Sequence, residues 1–317
     1  MGEASISVDI FNPGQVFACL GFLEVADLLL GSAEGGFDWS NEAKVRFRLL
    51  SRDIDNPFAV VLDAVAASEV RRYAPRGYVD PPPNGKGPVA AGGDDDETPV
   101  NDPPEPSKTF PGPKADGRAL PIRLIRGPAG AAGPVIEMSH WVDGSTRSDF
   151  KLYAGNRSAA TIARAMLCGT RAKSKTGQRA EDVRTLGLRA LWGQQRAEFL
   201  VDPFGVLTPM GGSFNFDPRG AWTGIDAGYS PNDQGHRLAA SPVVELLAAV
   251  GLEHARPKEY ENRKVRYSVW GCLLPPLLAR PVLGGASLAV PRRVFSFELA
   301  LSGKNKNVTF AQEEMQG

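Results

Sequence analysis

Residues 80–117 constrain the fold more than any other part of this chain of 317 residues. The segment contains ten prolines, six glycines and eight acidic residues against three lysines. It has too little apolar surface to offset the entropy that a chain loses on folding, so it cannot form a packed core. We therefore predict a flexible Pro/Gly-rich acidic insertion within a chain that otherwise folds.

The insertion also masks the charge of the rest of the chain. The whole chain balances 36 Lys and Arg against 36 Asp and Glu, and the insertion accounts for three of the cations and eight of the acids. The remaining residues are therefore basic by five charges. A positive remainder favours a polyanionic partner, which the neutral total does not indicate.

Capping residues and apolar periodicity predict an opening β-α-β-α pattern. Residues 6–10 alternate apolar and polar side chains, as in a strand. Two Asn-Pro pairs, at 12–13 and 56–57, each place a helix cap before a proline in the first helical turn. The first helix is expected to be buried, and the second is expected to run to Val70. The strand between them, over 44–50, is expected to have one basic face.

Later elements mix strands and helices without a regular βαβ alternation, which predicts an α+β fold: a mixed sheet with packed helices. We expect strands over 122–125 and 135–142, helices over 159–167 and 242–250, and a closing hairpin that turns at 303–305. Gly251 is expected to end the later helix.

Shifts in composition divide the chain into four parts. We expect an N-terminal β-α-β-α part over 1–79, the insertion over 80–117, a basic strand-helix part over 118–205 and a C-terminal α+β part over 206–317.

The strongest charge asymmetry lies between Arg157 and Arg196, where the sequence contains nine basic residues and only two acidic ones. One interpretation is a well-solvated pair of helices with an exposed loop, RAKSKTGQR. The other is a surface that contacts a phosphate backbone. A helix N-terminus in the sequence YAGNRSAAT would add free amide groups beside Ser158, which suits a phosphate oxygen.

The candidate nucleic-acid contacts share a positive charge or a hydrogen-bonding amide or hydroxyl in a basic or loop-rich segment. They are Lys151, Asn156, Arg157, Ser158, Arg171, Lys173, Lys175, Arg179, Arg219, Asn232 and Gln234.

A catalytic alternative rests on Asp217, Asp226 and Asp233, with His236 nearby. Metal-dependent nucleases hold Mg²⁺ with two or three carboxylates. However, Asp217 precedes a proline and Asp233 follows a Pro-Asn pair, positions where Asp commonly caps a turn. No phosphate-binding loop or nucleophile motif occurs, so we expect no enzymatic activity, no cofactor and no metal.

The N-terminus lacks a secretory signal, and the apolar stretches are interrupted by charges or prolines, so we expect a cytoplasmic protein without a membrane partner. Cys19, Cys168 and Cys272 lack CxxC spacing and lie in apolar surroundings, which predicts buried, reduced thiols.

Several motifs together resemble one protein family. They are NPGQVFACLGFLEVADLL, KLYAGNRSA, FDPRGAWTGIDAGYSPNDQ, ASPVVELLAAVGLEHARP and RRVFSFELALSGKNKNVTFA. The chain is similar to the large-subunit proteins of type I-G (formerly I-U) CRISPR Cascade complexes, and the similarity covers roughly everything except the Pro-rich insertion.

The resemblance implies a non-catalytic subunit of a crRNA-guided surveillance complex. Its expected partners are crRNA, target double-stranded DNA, the other Cascade subunits and a separate helicase-nuclease. It would bind DNA near the protospacer-adjacent motif and help recruit the helicase-nuclease. The chain is short for a large subunit, so the resemblance leaves open whether a C-terminal helical bundle is present.

Overall fold

The computed structural model describes residues 2–72, 122–126, 134–138, 152, 159–173, 179–210, 212–220, 239–257, 259–302 and 305–314. Over these residues the chain forms seven α-helices and several small antiparallel sheets. This arrangement confirms the predicted α+β class.

The first elements are β1 (Gly2–Ser7), α1 (Pro13–Leu30), β2 (Ala33–Asp38), β3 (Arg46–Ser51) and α2 (Pro57–Ala67), with a short 3-10 turn at Glu42–Lys44. Both predicted Asn-Pro caps are confirmed, because Asn12 Oδ1 accepts the Gln15 N–H and Asn56 Oδ1 accepts the Ala59 N–H, each at 3.2 Å. The basic face of β3 is also confirmed, since Phe47 and Leu49 are buried while Arg46 is exposed and Arg48 is half-buried.

Strand β2 was not predicted, and it completes a sheet in the order β1-β3-β2. Its sequence, AEGGFD, shows no clean alternation. Gly35 forms two backbone hydrogen bonds with Leu274, both 2.9 Å long. A Cβ on Gly36 would stand 2.1 Å from the Cys272 carbonyl oxygen. A contact distant in sequence therefore selects this strand, and the pair of glycines permits it.

A second sheet contains β4 (Ser68–Arg72), β5 (Ile122–Arg126) and β6 (Val135–Met138) in sequence order. The prediction that α2 reaches Val70 is wrong, because the helix ends at Ala67 and Val70 pairs with Leu124. Arg72 pairs with Ile122, so the intervening chain is an insertion between two adjacent strands. The insertion predicted over 80–117 lies outside the described residues.

The middle of the chain contains α3 (Ala159–Cys168), β7 (Thr170–Lys173), β8 (Arg179–Thr185), α4 (Leu188–Gln194), α5 (Arg196–Val201) and β9 (Thr208–Pro209). The predicted helix over 159–167 is confirmed. It ends at Gly169, which has a φ of 79°.

The C-terminal elements are β10 (Ala239–Ala240), α6 (Pro242–His254), β11 (Glu259–Glu261), β12 (Lys264–Trp270), α7 (Pro276–Leu283), β13 (Arg292–Ser302), β14 (Asn305–Val308) and β15 (Gln312–Glu313). The last sheet has the order β11-β12-β13-β14, and β15 also pairs with β13. The predicted closing hairpin is confirmed as β13 and β14.

Gly251 does not end α6, contrary to the prediction, because the helix continues to His254. A Cβ at Gly251 would stand 2.1 Å from the carbonyl oxygen of Phe17 in α1. The glycine therefore serves close helix packing rather than helix termination.

Helices α1 and α6 form the most extensive contact between two elements of the described chain. The two helices run in the same direction, since Gly14 lies beside Val244 and Glu24 lies beside His254. A Cβ on Gly21 would stand 2.0 Å from a carbonyl oxygen of α6, so the backbones are in close contact. Buried residues from the 1–79, 118–205 and 206–317 parts join one hydrophobic cluster around this helix pair.

Within the described chain, α1 is the one helix long and apolar enough to span a membrane, and 78% of it is buried inside the fold. A buried core helix passes the same test of length and hydropathy. Its composition is therefore no evidence for a membrane segment.

The three cysteines are free thiols, but they are not equally buried. Cys19 is enclosed in the core, and burial raises the pKa of its thiol well above the ordinary value. Cys168 is exposed and Cys272 is half-buried, so the prediction of three buried thiols is wrong for these two.

Candidate nucleic-acid interface

The basic segment, for which an exposed loop was one of two interpretations, contains the antiparallel strand pair β7–β8, called here the basic hairpin. Arg171 and Lys173 lie in β7 and Arg179 lies in β8. Lys175 falls in the connection 174–178, outside the described residues. The loop interpretation is therefore wrong for the positions of the three strand cations.

The base of the basic hairpin is tightly constrained. Thr170 donates its N–H to Thr185 Oγ1 at 3.0 Å, and the two threonine hydroxyls are 2.7 Å apart. A Cβ on Gly187 would stand 2.2 Å from the Gly169 nitrogen. The chain entering the hairpin and the chain leaving it therefore touch, and neither glycine can be replaced without displacing the other segment.

The register of the basic hairpin places two cations in opposition. Lys173 is the direct cross-strand partner of Arg179. The backbone register of the two strands therefore places two basic residues at opposed positions.

Other basic residues of the same stretch have structural roles. Arg189 donates Nε to the Ala66 carbonyl at 2.9 Å and Nη2 to the Ser68 carbonyl at 2.7 Å. Arg164 Nη2 lies 3.5 Å from the Val70 carbonyl. The Ala66 carbonyl lies in the last turn of α2, where carbonyls have no partner inside the helix. The other two carbonyls lie in β4, so these arginines attach the middle of the chain to α2 and β4.

Arg196 also has a structural role. Its Nη1 and Nη2 contact both carboxylate oxygens of Asp63, at 2.7 and 2.9 Å, and its guanidinium lies 4.3 Å from the centre of the Trp192 ring. Trp192 Nε1 donates to the same carboxylate at 2.8 Å. The charge of Arg196 is therefore used to attach α4 and α5 to α2.

Arg219, predicted to contact nucleic acid, lies against Asp217. Its Nε is 2.9 Å from Oδ1 and its Nη2 is 2.7 Å from Oδ2 of that carboxylate. Asp217 also accepts the Arg219 N–H at 3.1 Å, Asn12 Nδ2 at 3.2 Å and the Ser241 N–H at 3.2 Å. The carboxylate is 1% exposed. Five donor groups thus use the lone pairs of the Asp217 carboxylate, which would otherwise be needed to bind a metal ion.

The sequence analysis missed a second buried carboxyl group, Glu245 in the first turn of α6. It accepts N–H groups from Phe214 at 2.7 Å, Phe216 at 3.0 Å and Asp217 at 2.8 Å. Burial raises the pKa of Glu245 to about 8, and the Asp217 carboxylate also raises it, while the amide donors oppose this. The signal in the sequence was a lone acid in the apolar run PVVELLAAVGL.

We call the buried polar cluster the polar knot, and it consists of Asn12, Asp217, Arg219, Ser241 and Glu245. It lies where the N-termini of the parallel helices α1 and α6 meet. Two helix N-termini bring partial positive charges together, and the buried Asp217 carboxylate, which accepts from Ser241 and Asn12, compensates them. The polar knot therefore stabilises this helix pair.

The remaining predicted site residues lie outside the described residues, so the structure does not bring them together or separate them. They are Lys151, Asn156, Arg157, Ser158, Lys175, Asn232, Gln234, Asp226 and Asp233. The helix that Ser158 was predicted to cap does begin at the next residue.

Within the described residues, no three His, Cys, Asp or Glu side chains are grouped so that they could hold a metal ion. Comparison with known proteins finds no matching family model, no similar curated protein and no similar solved structure.

Proposed function

We propose that this chain is a non-catalytic nucleic-acid-binding subunit of a crRNA-guided type I CRISPR surveillance complex, and that the basic hairpin contacts the phosphate backbone. The family resemblance of its motifs suggests the complex. The opposed cations of the basic hairpin support the mode of binding.

The observation that carries the proposal is the register of the basic hairpin. Lys173 faces Arg179 across the strand pair, with Arg171 in the same short strand and Lys175 in the connection. Four basic residues thus lie within the nine positions 171–179, with no acidic residue among them. Later in the basic stretch, Arg189 and Arg196 are held by carbonyl or carboxylate partners.

This division of labour suits a complex in which a guide RNA reads the target. Base pairing supplies the sequence specificity, and the protein contacts backbones and a short duplex motif. A few phosphate contacts suffice for that role, which is compatible with a chain of zero net charge. The helicase-nuclease would then supply bond cleavage.

The proposal is tested by the salt dependence of binding. Full-length wild type and the variant Arg171→Ala/Lys173→Ala/Lys175→Ala are titrated with labelled duplex DNA and single-stranded RNA at several salt concentrations. Each phosphate neutralised contributes a slope of about −0.7 to −0.9 to the plot of log K against log salt. We expect the variant to bind more weakly, with a slope shallower by about two to three.

A matched control removes three cations whose charge is already neutralised. Lys264, Arg266 and Arg293 form ion pairs with Glu261, Glu314 and Glu313, respectively. Replacing these three cations by Ala should leave the slope unchanged. Equal slopes for wild type and the hairpin variant would remove the basic hairpin from the interface.

Two further measurements address the complex and the absence of catalysis. We expect the tagged full chain, co-expressed with neighbouring reading frames, to co-purify with a guide RNA and other subunits. We also expect DNA and RNA to stay intact with Mg²⁺ or Mn²⁺. Cleavage that Asp226→Ala abolishes would support the metal-dependent nuclease instead.

A further inference from the structure

A groove of about 460 Å³ lies beside the N-terminal end of α1, at the start of β3 and the chain that follows α5. Its size lies within the range of small-molecule sites. The side chains that matter for its chemistry combine cations, carboxylates and one amide: Asp9, Gln15, Lys44, Arg46, Asp202 and Arg219. We call it the mixed groove. None of its described lining residues belongs to the basic hairpin.

Gln15 gives the mixed groove an unpaired hydrogen-bond donor. The side chain is 6% exposed, and its Oε1 accepts the Asp9 N–H at 2.8 Å. Because Oε1 accepts that bond, the orientation of the amide is fixed and its donor atom is Nε2. None of the described residues provides an acceptor for Nε2. Among the described side chains, Ser268 Oγ is the buried polar atom that lacks a partner, so Gln15 Nε2 is accessible to solvent at the groove. A ligand acceptor in the groove could replace the water bound to this donor.

Cations surround the same space. Lys44 is exposed and has no carboxylate partner in the described part of the chain. Arg46 donates Nε to Ser5 Oγ at 2.8 Å and Nη2 to the Ser5 carbonyl at 2.6 Å, which holds its guanidinium without neutralising it. Arg219 uses Nε and Nη2 on Asp217, and its Nη1 contacts no acceptor that the structure describes. The N-terminus of α1 adds partial positive charge.

Two carboxylates make the mixed groove unlike a simple anion site. Asp9 Oδ1 accepts the Phe11 N–H at 2.9 Å, and Asp202 Oδ1 accepts the Gly205 N–H at 3.0 Å. Within the described residues, no donor contacts the second carboxylate oxygen of either aspartate, so it can accept from a ligand. A bare polyanion would be repelled by these groups, whereas sugar hydroxyls are good donors to a carboxylate.

We propose that the mixed groove binds one ribonucleotide unit. Its phosphate accepts hydrogen bonds from Lys44, Arg46 and Gln15 Nε2, and its ribose hydroxyls donate to Asp9 or Asp202. The proposed ribonucleotide site does not use the basic hairpin. Its test is therefore independent of the test of the function proposed above.

The test is calorimetric titration of the full chain with adenosine 5′-monophosphate, its 2′-deoxy analogue, adenosine and inorganic phosphate. We expect the ribonucleotide to bind most tightly. The deoxy analogue should bind about five- to ten-fold more weakly, because one hydroxyl hydrogen bond is lost. Undetectable binding of the ribonucleotide, or equal binding of the ribose and deoxyribose forms, would overturn the proposal.

Variants locate the site. Lys44→Ala removes an exposed cation, and Gln15→Glu keeps the acceptor for Asp9 N–H but replaces the donor by an oxygen. We expect each variant to weaken ribonucleotide binding by about ten-fold or more. The matched control is Arg52→Ala, at the other end of β3, which should bind as wild type does. Lys44→Ala removes no ion pair or side-chain hydrogen bond that the described residues form, so an unchanged affinity in this variant contradicts the assignment.

Two controls separate this proposal from related ones. The variant Arg171→Ala/Lys173→Ala/Lys175→Ala should retain full ribonucleotide affinity, and a loss there would move the site to the basic hairpin. A 5′-phosphorylated oligoribonucleotide that displaces the mononucleotide would identify the terminal nucleotide of a strand as the source. A failure to displace it would identify a free nucleotide, and either result supports the site.

Discussion

The polar knot and the basic hairpin differ in how their ionisable residues are placed. In the polar knot, Asp217 and Glu245 are almost fully buried, and every carboxylate oxygen accepts at least one hydrogen bond. In the basic hairpin, Lys173 and Arg179 oppose each other in register. A buried polar group is tolerated when it is satisfied inside the fold, whereas two basic residues at opposed strand positions are compatible with the proposed anionic ligand.

The largest effect is expected in the polar knot. Glu245→Ala leaves the N–H groups of Phe214, Phe216 and Asp217 without their acceptor in a buried site. We expect the free energy of unfolding to fall by about 3–5 kcal/mol, measured by chemical denaturation. A loss below about 1 kcal/mol would mean that water replaces the carboxylate and that the polar knot is not a structural element.

The pH dependence of stability tests the same group. Because burial raises the pKa of Glu245 to about 8, the folded chain holds a proton that the unfolded chain releases near the ordinary value of 4.5. The contribution of this group to stability is therefore complete at low pH, and it decreases as pH rises from 4.5 to about 8.

Glu245→Gln cannot titrate and serves as the reference for that measurement. The stability of wild type minus that of the variant should decrease by up to about 1.4 kcal/mol per pH unit inside this window and be constant outside it. A difference that does not change between pH 5 and pH 8 would show that the three amide donors keep the carboxylate ionised.

The smallest change in stability is expected in the basic hairpin, where the substitution should stabilise the fold rather than destabilise it. Lys173→Glu places an acid opposite Arg179, so the free energy of unfolding should rise by about 0.2–1 kcal/mol while nucleic-acid affinity falls. Hydrogen exchange of the β7 and β8 amides and salt-dependent binding measure the two quantities. A variant that loses stability would show that no like-charge repulsion exists at this pair.

Local signals predicted much of the fold. The Asn-Pro caps of α1 and α2 and the extent of α3 depend on neighbouring residues, and the structure confirms them. Elements that depend on distant partners were missed. Gly35 pairs with Leu274, and Gly251 packs against α1, so β2 and the end of α6 could not be predicted from their own segments.

The candidate sites show the same division. The sequence predicted the basic residues of the hairpin, but not their pairing, because register depends on how the base of the hairpin is closed. It predicted Arg219 as a ligand contact, which stays a prediction, but it did not predict the ion pair of Arg219 with Asp217. Glu245, Gln15 and Lys44 acquire their importance only from residues that the fold brings beside them.

The sequence by itself determined the positions of the helix caps, the excess of positive charge outside the insertion and the α+β class, because capping, charge and periodicity act over a few residues. Only the tertiary structure decided which charges are satisfied. A charge near a carboxylate or carbonyl distant in sequence, such as Arg196 beside Asp63, loses its availability through contacts that form when the chain folds.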